Sequence, residues 1–134
     1  MKQQILAFYR TKSSWYAAQY HCAALDRRAR LATVAPSAGD FTEELVAKAV
    51  SGSRGAWIGL SRLEPDDAFG WVDGTRPVVR RWSRDCGDGD CVHIWGPEGH
   101  WTTDGTVRHG WNDAPCHTDN HILCQIELNT LCST

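Results

Sequence analysis

Trp57-Ile58-Gly59-Leu60, with Phe69-Gly70-Trp71-Val72-Asp73-Gly74 shortly after it, is the stretch on which the reading of the fold turns. The first run is short and wholly apolar and follows Gly55, so it predicts a buried strand. Phe69 to Val72 predicts a second strand, ended by the turn Asp73-Gly74. Toward the N-terminus, Ser51 to Gly55 breaks a helix expected to begin around Ser37 to Asp40 and to carry Phe41, Leu45 and Ala49 inward. Before it lies a short apolar connector, Leu31 to Val34, ended by Ala35-Pro36. Ser13-Ser14 offers the N-cap of a first helix, with Trp15, Ala18, Cys22 and Leu25 at helical spacing and Cys22 on the buried face. Ile5 to Arg10 predicts an opening strand.

Toward the C-terminus, Thr75 to Asp90 is polar, rich in arginine and punctuated by glycine, and predicts loop. Cys91 to Trp95 alternates and predicts a strand. Trp101 to Thr103, Asp104-Gly105 and Thr106 to Arg108 predict a two-residue hairpin, and His121 to Ile126 a closing strand. Two helices come first, then strands and long loops, without a linker or internal repeat. That order predicts one α+β domain over residues 1–134.

Composition narrows the function classes. Apolar residues make up 42% of the 134, and no apolar run approaches the roughly 18 residues of a membrane-spanning helix, so membrane insertion is not expected. The net charge of -2 supplies no field that would draw nucleic acid. Arg80, Arg81 and Arg84 read as a solvated loop. Six cysteines at positions 22, 86, 91, 116, 124 and 132 include no Cys-x-x-Cys pair and match no zinc ribbon, so they predict disulfides and an oxidising, extracellular compartment. Met1-Lys2-Gln3-Gln4 lacks the apolar core of a signal peptide. Met1 is therefore expected to open a mature secreted form, and the compartment is inferred from the cysteines alone. Seven tryptophans suit either a core with little regular structure or an aromatic recognition surface.

In order along the chain, Trp15 with Ala18 and Cys22, Trp57-Ile58-Gly59-Leu60, Trp71-Val72-Asp73-Gly74, Trp82, Cys91-Val92, Trp111-Asn112-Asp113, Cys116 and Ile122-Leu123-Cys124 resemble the C-type-lectin-like family over nearly the whole length. With no cysteine pair ahead of the first helix, the chain resembles the short form. The resemblance implies two helices flanking small antiparallel sheets, with a long irregular loop region. It implies the disulfides Cys22–Cys124 and Cys91–Cys116. A chain-entropy estimate for loops of about 100 and about 26 residues gives roughly 4.7 and 3.5 kcal/mol for such crosslinks. Cys86 and Cys132 fall outside that pattern. An interchain disulfide to a partner, a free thiol, or competition of Cys86 with Cys91 are all open to them.

The resemblance also implies a secreted, non-enzymatic carbohydrate-binding lectin for cell-surface or microbial glycans, with a glycan or glycoprotein as ligand and calcium assisting. The alternative is a domain that has lost calcium and sugar binding and recognises a protein. Asn112 and Asp113 match half of the family's calcium motif. The proline tripeptide that forms the other half is missing between Trp82 and Cys91, and Glu64-Pro65-Asp66 lies in the wrong place and reads as a turn. Asp88 and Asp90, with Asp85 nearby, could supply replacement oxygens for a calcium ion held with Asn112 and Asp113. Trp101 in the predicted hairpin could stack on a sugar ring, with His109 beside it. His93, His100 and His109 could bind zinc, but no spacing demands it. No catalytic triad order, phosphate loop or zinc-protease helix appears.

Overall fold

The computed structural model describes residues 2–34, 55–62, 68–76, 89–95 and 111–129. Its elements in chain order are β1 (Lys2–Ser13), α1 (Trp15–Leu25), β2 (Ala29–Leu31), β3 (Gly55–Ser61), β4 (Gly70–Trp71), β5 (Cys91–Trp95), β6 (Trp111–Ala114) and β7 (Asn120–Asn129).

The helix forms where its cap and spacing predict. Ser14 is extended and accepts a hydrogen bond from the Ala17 amide through its side chain. The Trp15 amide, another donor that the helix cannot satisfy itself, donates to the Cys116 carbonyl at 2.8 Å. Trp15, Ala18 and Cys22 are buried, whereas Leu25, expected to face inward, is exposed. The helix ends there, at the Asp26 cap, before its inward face comes round again.

The strands join in one sheet of order β1-β7-β3-β5-β6, with β2 added to β7 and β4 to β3. β7 carries β1 antiparallel along one edge, and β2 antiparallel and β3 parallel along the other. Side chains of β3 alternate, yet every residue from Gly55 to Ser61 is buried. The reason is a core on each face. Ala56, Ile58 and Leu60 join Val92, Ile94, Trp71, Trp111 and Leu123 on one side. Trp57 joins Trp15, Ala18, Cys22, Leu31 and Ile122 on the other, beneath α1. The two indoles beneath α1 find acceptors, Trp15 Nε1 donating to the Ile58 carbonyl (2.9 Å) and Trp57 Nε1 to the Ser13 carbonyl (2.7 Å). At Gly59 the neighbouring backbones come so close that a Cβ would lie 2.8 Å from the Leu31 carbonyl oxygen. The turn after β4 closes with the Gly74 amide donating to Trp71, and Gly74 takes the φ of +93° that favours glycine. Disulfides join Cys22 to Cys124, linking α1 to β7, and Cys91 to Cys116, linking β5 to the turn after β6.

This corrects the expected architecture of two helices flanking small antiparallel sheets. The α+β character stands, but the described residues hold one helix, and their seven strands form a single mixed sheet. The chain enters β3 and β7 from the same end, so Ala56-Trp57 lie parallel to His121-Ile122 and fuse what hairpin reasoning treats as separate sheets. The helix expected over 37–49 and the hairpin over 101–108 lie outside the described residues. So do Glu64-Pro65-Asp66, the arginines at 80, 81 and 84, Cys86 and Cys132.

Candidate functional site

The site is built on the β5–β6 pair. Its register sets His93 opposite Asn112 and Val92 opposite Asp113. Side chains alternate along a strand, so Asn112 shares the α1 side of the sheet with His93 and Trp57, and Asp113 turns to the other side, with Val92 and Trp111. Asn112 donates through Nδ2 to His93 Nε2 at 2.9 Å, which puts the imidazole proton on Nδ1. Burial pushes His93 down to about 4, against a smaller opposing backbone hydrogen bond at Ile94, so the ring is neutral at ordinary pH. Asp113 is buried, at 7% exposure.

Of the residues expected to hold calcium, Asp90, Asn112 and Asp113 are among the described ones. Asp90 is exposed and accepts from Arg62 Nε at 3.0 Å, in an ion pair reinforced by the Arg62 amide on the Asp90 carbonyl. The Asn112 amide is engaged with His93, and Asp113 faces the opposite way. Among the described residues, no group of three or more histidine, cysteine, aspartate or glutamate side chains could hold a metal ion. Asp88, Trp101, His100 and His109 lie outside the described residues.

What the structure does assemble beside Asn112 is a cavity of about 430 Å³. His93 and Asn112 form one wall of it. The β6–β7 turn and the start of β7 add Thr118, Asp119, Asn120 and His121, and Lys12 closes it from the end of β1. His121 is oriented by its Nδ1–H, which donates to the Arg10 carbonyl at 2.8 Å. Two buried polar atoms here have no hydrogen-bond partner, Asn112 Oδ1 and Asn120 Nδ2. Lys12, Thr118, Asn120 and His121 escaped the sequence reading. The one signal for them was a run of polar residues between Pro115 and the closing strand.

Comparison with known proteins accords with this architecture. The family profile for the lectin C-type domain matches residues 11–126. The chain is 31% identical over 121 residues to Lectin BRA-2 of Megabalanus rosa, covering 88% of this chain and 61% of that protein. It is 26% identical over 123 residues to the C-type lectin lectoxin-Enh4 of Pseudoferania polylepis, covering 87% of this chain and 73% of that one. Among solved structures, the carbohydrate-recognition domain of cow CD23 superposes with a TM-score of 0.73 at 23% identity, over 94% of this chain and 89% of that one, a likeness of fold. The chain belongs to the lectin C-type domain family and is a recognition domain, not an enzyme.

Proposed function

We propose that the chain is an extracellular carbohydrate-recognition domain that holds its glycan by direct hydrogen bonds and aromatic stacking, without a calcium bridge at Asn112 and Asp113. The observation that carries this reading is the engagement of Asn112 with His93 on the face opposite Asp113. Half of the calcium motif survives in sequence, and its two side chains serve different sides of the sheet. Family membership and relatives named as lectins favour a sugar as ligand. Trp101 and His109 are the proposed stacking and hydrogen-bonding groups. The two disulfides favour secretion, and Cys86 and Cys132 are where a covalent partner would attach.

A protein ligand is the second reading. It is favoured by Tyr16 and Tyr20, exposed one turn apart on the outer side of α1. A glycan array probed with and without EDTA decides between them. The expected result is a defined set of bound glycans that EDTA leaves unchanged. Loss of every signal in EDTA would restore the calcium bridge, and an array without any bound glycan would favour the protein ligand.

A further inference from the structure

We infer that the outer edge of β1 is a self-association surface, on which a second copy of this chain pairs antiparallel, β1 against β1, about a two-fold axis normal to the sheet. The order β1-β7-β3-β5-β6 leaves β1 at the end of the sheet, paired with β7 alone among the described strands. A strand in that position presents a row of backbone N–H and C=O groups that another strand can take up. Such edges are ordinarily blunted by shortness, proline, charge or a bulge. β1 has 12 residues, no proline, and no charged residue from Gln3 through Tyr9. Its register with β7 shifts only after Tyr9, so the stretch before that is regular.

Exposed apolar surface gathers beside this edge. Ala7 and Tyr9 pack against the core beneath α1, so by alternation Ile5 lies on that same side, yet it is 47% exposed. From Ser14 the helix runs back over the sheet, and the His21 ring meets the Tyr9 ring edge-on at 4.6 Å. One turn further on, Leu25 stands on the His21 side of the helix and is exposed as well.

Charge selects the register. An axis normal to the sheet preserves its faces, so only residues an even number of positions apart can oppose one another. Centred on Leu6 or Ala7, the pairing would set Lys2 against Arg10 or Lys12 of the second copy, and like charges directly opposed are destabilising. Centred on Phe8, it would run into the irregular stretch after Tyr9. Centred nearer the start, it would pair fewer residues. Centred on Ile5, it opposes no two charges, uses only the regular run from Lys2 to Phe8, and covers each Ile5 with the other. The two sheets then become one, with both helices on the same face and the two β5–β6 ends at its extremes. One assembly thereby offers two candidate sites to a multivalent surface.

Sedimentation velocity over a concentration series, on material that runs as monomer in a non-reducing gel, should show a monomer–dimer equilibrium. Ile5→Lys should leave monomer throughout. In Ile5→Cys, residues opposed across the axis lie about 4.5–5.5 Å apart at Cα, within reach of a disulfide. Peptide mapping after oxidation should therefore find the two copies bridged at position 5. A parent that is monomeric at every concentration would overturn the inference and leave the edge to a strand of another protein. A dimer that Ile5→Lys leaves intact would overturn it by placing the contact elsewhere. If Ile5→Lys fails to fold, the Ile5→Cys mapping decides alone, and absence of the position 5 bridge overturns the pairing.

Discussion

At the scale of single residues, Gly59 and His93 show how tightly this sheet is constrained. A Cβ at Gly59 would stand 2.7 Å from Val72 Cγ2 and 2.8 Å from the Leu31 carbonyl oxygen. The first contact could be relieved by a rotamer, but the second is backbone, held where the Gly59 amide donates to Ala32 at 2.8 Å. Gly59→Ala should therefore cost about 1–3 kcal/mol as overpacking, measured by urea unfolding. A stability equal to the parent would show that β2 can move away. His93 has its folded-state value lowered from 6.5 to about 4 by burial. The unfolded chain then binds a proton that the folded chain refuses between those values, so stability is intact above about pH 6.5 and falls as pH drops toward 4. The loss should be on the order of 3 kcal/mol, and His93→Gln should flatten that part of the pH profile. A parent whose unfolding midpoint is constant from pH 7 to 4.5 would refute the buried, neutral ring.

At the scale of elements, α1 divides into a face that the fold needs and a face that it does not. Trp15 is buried and donates to the Ile58 carbonyl, so Trp15→Ala loses packing and leaves that carbonyl short of its donor. The cost should be about 3–5 kcal/mol. Ser14→Ala, which removes the cap, should cost about 1 kcal/mol. Tyr20→Ala, at 81% exposure, should stay within roughly 0.5 kcal/mol of the parent. Thermal unfolding of the three variants checks the ranking, and a Tyr20 variant as damaged as the Trp15 one would mean that the outer face is covered. This helix was legible in sequence because a cap and a repeat of Trp15, Ala18 and Cys22 are local signals. So was strand β5, whose bounds match the expected Cys91 to Trp95. The pairing of strands was not legible, because the parallel contact of β3 with β7 joins residues some 65 positions apart and no local pattern encodes it. The site divides the same way. Motif reasoning singled out Asn112 and Asp113 as neighbours in sequence, but only the strand pairing shows that the alternation of β6 gives them opposite faces of the sheet. Lys12, Thr118, Asn120 and His121 become neighbours only when β1 and the β6–β7 turn close on the sheet.

For the molecule as a whole, the two disulfides differ in what they hold. Cys22–Cys124 spans 102 positions and lies wholly buried in the core beneath α1, tying the helix to β7. Cys91–Cys116 spans 25 positions and ties the start of β5 to the turn that supplies Thr118 and Asp119 to the cavity. On chain entropy alone the longer crosslink contributes about 1 kcal/mol more, since roughly 4.7 and 3.5 kcal/mol follow from the two loop lengths. Replacing Cys22 and Cys124 together by alanine should therefore lower stability more than replacing Cys91 and Cys116. Ligand binding should rank in the reverse order. The second pair anchors the β6–β7 turn, so its removal should loosen residues 115–119 and weaken glycan binding even where the domain stays folded. Urea unfolding of both double variants gives the first ranking, and titration with the best array glycan below the unfolding transition gives the second. Equal affinity in the Cys91/Cys116 variant would detach the turn from recognition and move the glycan away from this end of the sheet. Peptide mapping of the oxidised parent fixes the premise, and a Cys86–Cys91 linkage there would overturn it.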